Sequence, residues 1–235
     1  MQKFLSACLV FVCGFAYALD RGEVMKEHAQ RSIENALYGN SKLDARILNI
    51  EGMSSHRVRD LLNNLCSLPN SRYLEIGCWK GSTLISALYR NGGSLEGVVA
   101  IDNWSEWGSP RTEFFQNVES YLGNEPLKEF KIIETDCFTL DKAKVFDHPI
   151  TVYFYDGNHD RLSQKRAFTY YHAVFDDVFI AVVDDWNCEE VRMGTRDAFE
   201  ELGYQILFEQ TFFTDSNGGD KISWWNGIYI GVLKK

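Results

Sequence analysis

Residues 72–82 read Arg-Tyr-Leu-Glu-Ile-Gly-Cys-Trp-Lys-Gly-Ser, and this stretch decides the fold. A short apolar run ends at Gly77, and residues 82–89 then have the character of a helix. Gly77 and Gly81 flank the turn between strand and helix, where glycine lets backbone approach a ligand closely. The spacing is not the G-x-G-x-x-G of dinucleotide-binding turns, which argues against a nicotinamide oxidoreductase. We therefore predict a β-strand, a ligand-binding turn and a helix.

The alternation of strand-like and helix-like segments continues to the C-terminus. The later strand-like runs are 98–102, 130–136, 150–157, 178–185, 204–213 and 227–233, and the helical segments are 111–122, 161–175 and 189–202. This alternation predicts an α/β fold with a Rossmann-like, doubly wound and mostly parallel sheet. Only a loop separates the last two strands, so the final strand is predicted to be antiparallel. With no repeat or linker, we expect one domain over residues 71–235.

Residues 19–70 precede this alternating domain. Their apolar positions between Leu43 and Leu65 recur at helix-like spacing, which predicts a helical N-terminal cap.

The first twenty residues differ from the rest of the chain. Lys3 is the only charged residue before Asp20, and residues 4–19 between them form an apolar stretch. This stretch is shorter than the roughly 20 residues that span a bilayer. With Lys3 before it and Ala16-Tyr17-Ala18 near its end, the stretch predicts a secretory signal peptide over residues 1–18, cleaved after Ala18. We expect a secreted or periplasmic protein without stable membrane insertion; a cytoplasmic chain, or one anchored by an uncleaved N-terminal segment, is the alternative.

Composition excludes several classes of protein. The chain has 235 residues, of which 45% are hydrophobic and 24% charged, as in ordinary globular proteins. Its formal net charge is -9 and it contains no Lys/Arg run, so we expect no nucleic-acid partner. Six cysteines occur without a C-x-x-C pair, which argues against a zinc knuckle.

Acidic residues mark the ends of the first five predicted strands. They are Glu75, Asp102, Asp136, Asp156 and the pair Asp184-Asp185. Because ligands of open parallel sheets bind outside the carboxyl ends of the strands, these side chains are predicted to line one ligand-binding edge. Asp102 ends the second strand, where a carboxylate can accept hydrogen bonds from ribose hydroxyls. The alternative is that some of these residues cap helices or begin turns.

These motifs together resemble a known enzyme family. E-I-G-C-W-K-G-S at 75–82 and A-I-D at 100–102 are similar to the first two motifs of class I S-adenosylmethionine-dependent methyltransferases. D-G-N-H at 156–159 and D-D-W at 184–186 are similar to motifs of the macrocin O-methyltransferase-like branch. The resemblance covers residue 72 to the C-terminus. It implies methylation of a hydroxyl on a small sugar-like or aromatic acceptor, with S-adenosylmethionine as the methyl donor.

The resemblance also implies roles for individual residues. Around the methionine moiety of the cofactor it places Glu75, Gly77 and Gly81, with Ser82 capping the following helix. It implies that Asp102 holds the ribose and that Asp136 and Cys137 lie beside the adenine. As ligands of a divalent cation, with Mg²⁺ expected, it implies Asp156, Asp184 and Asp185.

The chemistry of these residues agrees with a metal. Three carboxylates held close together repel one another, and a divalent cation relieves that repulsion. Mg²⁺ prefers oxygen ligands, and a hydroxyl bound to a metal loses its proton more easily. Asp156 or His159 would then accept the proton of the acceptor. The alternative for His159 is that it packs on the loop at the start of a helix.

All six tryptophans fall in loops that we predict at this same edge of the sheet. They are Trp79, Trp104, Trp107, Trp186, Trp224 and Trp225. They indicate an aromatic-walled substrate cleft, although some could instead cover the cofactor or close the last hairpin. A second hypothesis is an exported binding protein that retains the fold without catalysis, because S-adenosylmethionine is made in the cytosol. The sequence leaves the acceptor and the oligomeric state open.

Overall fold

The computed structural model describes residues 20–215 and 221–235, and the predicted signal peptide lies outside them. Seven strands form one sheet in this part of the chain. In chain order they are β1 (Ser71–Ile76), β2 (Leu95–Asp102), β3 (Phe130–Glu134), β4 (Ile150–Tyr155), β5 (Phe175–Val183), β6 (Gln205–Phe212) and β7 (Ile228–Lys234). Their order across the sheet is β3-β2-β1-β4-β5-β7-β6.

The sheet has the predicted mixture of strand directions. The first five strands pair in parallel, and β7 runs antiparallel between β5 and β6. The strand order reverses between β1 and β4, and in such a sheet the ligand crevice opens at the carboxyl ends of the strands beside this reversal. The structure thus confirms the predicted Rossmann-like architecture with an antiparallel last strand.

Two layers of helices cover the sheet. The helices of the described residues are α1 (Arg21–Leu37), α2 (Ala45–Leu48), α3 (His56–Leu65), α4 (Ser82–Leu88), α5 (Arg111–Leu122), α6 (Lys142–Val145), α7 (Arg161–Thr169) and α8 (Glu189–Leu202). One buried cluster joins apolar residues of α1, α3, α4 and α5 to one face of the sheet, and a second joins α7 and α8 to the other face.

The segment before β1 is helical, as predicted. Helix α1 packs on α3 and reaches β5 and β7, while α3 packs on α4. Ser55 caps α3 by accepting a hydrogen bond from the Val58 backbone N–H at 3.2 Å. The N-terminal helices therefore form part of one of the two layers and share the core of the sheet.

The second half of the predicted helix 161–175 differs from the expectation. Helix α7 ends at Thr169, a short 3-10 turn follows at His172–Val174, and β5 already begins at Phe175. The Phe175 ring is buried and stacks on that of Phe179, with ring centroids 4.5 Å apart. Burial of this aromatic pair extends the strand toward its N-terminus.

Within the described ranges, no helix is both long enough and apolar enough to cross a bilayer.

Candidate functional site

Glu75 lies near the end of β1, fully buried beneath the turn that follows. One carboxylate oxygen accepts a hydrogen bond from the Tyr73 hydroxyl at 2.6 Å, and the other accepts one from the Thr83 hydroxyl at 2.7 Å. Burial raises the pKa of Glu75 to about 8, although these two hydrogen bonds oppose the shift. Glu75 therefore ties β1 to the first turn of α4, a link that we did not expect from the sequence.

Glycine is required at the two positions of this turn for different structural reasons. Gly77 has a φ of +85°, and a Cβ at this position would lie 1.9 Å from the Asp156 carbonyl oxygen. The ends of β1 and β4 can therefore meet here only because residue 77 has no side chain. Gly81 has a φ of +84° and occupies the N-cap position of α4. Ser82, which we expected to cap this helix, is its first helical residue, because the left-handed turn at Gly81 sets where the helix begins.

Asp102 ends β2 and holds the same turn from the neighbouring strand. Its Oδ2 accepts hydrogen bonds from the backbone N–H groups of Cys78 at 2.7 Å and Trp79 at 2.9 Å. Its Oδ1 accepts one from the Trp104 backbone N–H at 2.7 Å. A carboxylate offers about four acceptor positions, so one remains for a ligand hydroxyl.

Asp136 and Cys137 follow β3 and lie next to Asp102, because the Thr135 N–H donates to the Asp102 carbonyl at 3.1 Å. Asp136 is exposed and accepts a hydrogen bond from the Phe138 N–H, which makes a tight turn. Cys137 is half-buried, and burial raises the pKa of its thiol to about 12. The thiol is therefore uncharged at ordinary pH, and Cys137 serves as a small residue in the wall of the site.

An acidic cluster lies after β4 and β5. The ligand atoms of Asp156, His159 and Asp185 all lie within 4.8 Å of one another, a grouping that could hold a metal ion. His159 Nε2 is 2.8 Å from an Asp185 oxygen and 3.6 Å from an Asp156 oxygen. Neither contact has the geometry of a hydrogen bond, so both are ion-pair contacts.

Charge and burial shift the acid–base behaviour of this cluster. Burial raises the pKa of Asp156 to about 6 despite the nearby His159. Burial opposes protonation of His159, but the Asp156 and Asp185 carboxylates outweigh it and raise the pKa of the imidazole to about 11. His159 is thus an imidazolium that balances two carboxylates.

Asp184 lies beside this cluster but deeper. Only 3% of its surface is exposed, and its Oδ1 is buried without a hydrogen-bond partner among the described residues. Burial, followed by repulsion from Asp156 and Asp185, raises the pKa of its carboxyl well above the ordinary value. A buried oxygen without a partner is costly, so this oxygen is available to a ligand.

The tryptophans divide into buried and accessible residues. Trp104, Trp186 and Trp224 are buried, Trp79 and Trp225 are half-buried, and Trp107 is 71% exposed. Trp186 packs on Tyr229 and Trp224 on Phe212, as core residues do. Half of the set therefore belongs to the packed interior, and the accessible part of the predicted aromatic wall is Trp79, Trp107 and Trp225.

The loops at this edge also have unusual backbone conformations. Four tryptophans have positive φ values between 46° and 55°, a region that bulky residues rarely adopt: Trp79, Trp104, Trp107 and Trp225. Asp185 has a φ of +54° as well. Strained residues of this kind cluster at functional sites, and they persist only where the surrounding structure holds them in that conformation.

Comparison with known proteins finds similarity in structure but not in sequence. No family model and no curated protein matches the sequence. Among solved structures, the O-methyltransferase TomG of Streptomyces achromogenes, in complex with S-adenosylmethionine, is similar with a TM-score of 0.55. The two are 16% identical over 87% of this chain and 90% of that one.

Two further structures show the same likeness. An O-methyltransferase from Bacillus cereus in complex with S-adenosylhomocysteine has a TM-score of 0.52, at 15% identity over 93% of this chain and 94% of that one. A candidate RNA methyltransferase from Pyrococcus horikoshii has a TM-score of 0.51, at 15% identity over 87% and 96%. At these identities the likeness shows the fold, which is that of class I S-adenosylmethionine-dependent methyltransferases. Because an RNA methyltransferase candidate shares it, the fold does not exclude a nucleic-acid substrate.

Proposed function

We propose that the protein is an S-adenosylmethionine-dependent O-methyltransferase of the macrocin O-methyltransferase-like type. It would use a divalent cation, with Mg²⁺ expected, and act on a hydroxyl of a small sugar-like or aromatic acceptor. The observation that carries this proposal is the contact between the two halves of the site. Gly77, in the turn expected to hold the cofactor, packs on the backbone of Asp156, which belongs to the acidic cluster.

The residues of the turn fit the cofactor. Asp102 keeps one acceptor position for a ribose hydroxyl after satisfying three backbone N–H groups of the surrounding loops. When bound, S-adenosylmethionine supplies an electrophilic methyl group on sulfur. The chain then has to place an acceptor oxygen in line with that methyl and to exclude water.

The acidic residues fit a hard cation. Asp156, Asp184 and Asp185 would hold it. Ligand atoms of Asp156 and Asp185 lie close together beside His159, and Asp184 adds a buried oxygen without a partner among the described residues. Such an ion would make a bound hydroxyl easier to deprotonate.

Asp156 and His159 are the candidates for accepting the proton of the acceptor. In the arrangement described here the two carboxylates keep His159 protonated. Asp156 would be the proton acceptor in that arrangement, whereas the cation proposed above would satisfy the carboxylates and leave His159 to accept the proton.

Charge favours a small acceptor over RNA. The net charge of -9 and the carboxylates of the site repel a phosphate backbone. Trp107 instead presents an exposed indole beside the turn, a surface suited to sugar rings or planar scaffolds. Export with cleavage after Ala18 remains part of the proposal.

Calorimetry with S-adenosylhomocysteine, with and without Mg²⁺, tests the proposal first. We expect binding to the wild type and a Mg²⁺ effect that Asp184→Asn reduces. Transfer of a labelled methyl group to hydroxylated small acceptors, but not to RNA, would support the proposed acceptor class. Binding without transfer to any acceptor would favour the exported binding protein. Absence of cofactor binding would reject both.

A further inference from the structure

Arg59, in α3, is a buried cation without an anionic partner. It is 2% exposed. Among the described residues no carboxylate pairs with it, and burial alone lowers the pKa of its guanidinium to about 10. Holding an unpaired charge inside a protein costs free energy, so such a group either serves a structural purpose or awaits an anion.

Hydrogen bonds account for only part of the guanidinium. Nε donates to the Ser54 hydroxyl at 2.9 Å, and Nη1 donates to the carbonyls of Leu48 at 3.0 Å and Ile50 at 2.8 Å. A guanidinium has five N–H donors, and these bonds use three of them. Both N–H groups of Nη2 are left without a partner within the described part of the chain.

The free Nη2 points toward the turn expected to hold the cofactor. A Cβ built on Gly52 would lie 2.5 Å from Arg59 Nη2 and 1.9 Å from the Ser82 Oγ. Gly52 thus brings Arg59 and the first residue of α4 to the same point. The same loop is held to the turn by an ion pair between Glu51 and Lys80 at 2.9 Å.

We infer that Arg59 binds the carboxylate of the methionine moiety of the cofactor through Nη2. The inference rests on the proposed function, which puts that moiety at the turn containing Gly77, Gly81 and Ser82. The carboxylate supplies the anion that the buried guanidinium lacks, and Nη2 supplies two unused donors. A charge-assisted hydrogen bond of this kind is stronger than one between neutral groups.

The test compares two ligands that differ in the moiety concerned. S-adenosylhomocysteine carries the carboxylate, whereas 5′-methylthioadenosine has the same nucleoside and sulfur without the amino-acid group. Calorimetry should show that Arg59→Gln lowers the affinity for S-adenosylhomocysteine by roughly 10- to 100-fold. The affinity for 5′-methylthioadenosine should change less than about threefold. Leu61→Ala is the matched control, because it removes a buried side chain from the same helix and leaves the guanidinium in place.

The outcomes separate this inference from the proposed function. If the wild type does not bind S-adenosylhomocysteine, the proposed function fails and the inference with it. If the wild type binds and Arg59→Gln weakens both ligands equally, or neither, Arg59 only anchors the loop and the inference alone is overturned. Should Arg59→Gln not fold, a crystal structure of the wild type with S-adenosylhomocysteine decides. The carboxylate within hydrogen-bond distance of Arg59 Nη2 supports the inference, and any other position refutes it.

Discussion

Replacement of Glu75 by glutamine should make the stability of this protein less dependent on pH. The folded protein raises the pKa of Glu75 from an ordinary 4.5 to about 8, chiefly by burial. Between these two values the folded state binds a proton that the unfolded state has lost. The free energy of unfolding therefore falls as pH rises from about 4.5 to about 8, and Glu75 causes no further change above that.

The size of the effect follows from the two pKa values. Their difference corresponds to at most about 5 kcal/mol between the low-pH and high-pH ends of this window. Glutamine has nearly the same shape and never ionises. Its amide can accept a hydrogen bond from one hydroxyl and donate one to the other, so the links to Tyr73 and Thr83 survive. We expect Glu75→Gln to match the wild type near pH 4.5 and to exceed it at pH 8–9.

Thermal unfolding of both proteins from pH 4.5 to 9 measures this difference. For a chain of this length the full effect corresponds to a rise in Tm of roughly 10–20 °C. The difference between the two curves cancels groups that titrate in both proteins. Glu119→Gln, the same change at an exposed position on α5, should leave the difference near zero across the range. A flat difference for Glu75→Gln, or a variant less stable than the wild type at pH 9, would refute the reasoning.

Three other predictions concern the remaining parts of the site. Asp102→Ala leaves three backbone N–H groups unpaired, so it should lower Tm and weaken the binding of S-adenosylhomocysteine by about 1–3 kcal/mol. An unchanged affinity in calorimetry would contradict the role of Asp102 at the ribose. Asp184→Asn should reduce Mg²⁺ affinity and methyl transfer together while cofactor binding stays largely intact; activity that survives excess chelator rejects the metal. N-terminal sequencing of protein from its native cell should begin at Leu19, and an intact Met1 in a soluble cytosolic fraction would reject export.

The alternation of strand-like and helix-like segments predicted the mostly parallel sheet, and the connection by a loop alone between the last two strands predicted the antiparallel last strand. The acidic strand ends likewise predicted that Asp156, Asp184 and Asp185 would converge, since parallel neighbours end at the same edge. The ligand atoms of Asp156 and Asp185 do lie close together, but the third member of that group is His159 rather than Asp184. His159 joins them because it lies only three residues after Asp156 in the chain. The positions of site residues relative to the strand ends can thus be predicted from the sequence.

Hydrogen-bond partners across the fold were not readable in the same way. Nothing in the spacing indicated that Glu75 would be satisfied by Tyr73 and Thr83, or that Asp102 would bind three backbone N–H groups. The packing of the N-terminal helices on the sheet also depends on tertiary contacts rather than on local pattern. These contacts determine which polar groups remain free for a ligand.

The loops around Asp102 show how the strain at the tryptophans is maintained. The Trp104 indole donates to the Trp79 carbonyl at 2.8 Å, and the Trp79 indole donates to the Trp107 carbonyl at 2.9 Å. Asp102 joins the same two loops through their backbone N–H groups. Left-handed conformations at bulky residues persist only where such contacts offset their cost. Held by these hydrogen bonds, the turn after β1 and the loop after β2 keep little backbone freedom, so a ligand that binds there would lose correspondingly little of it on binding.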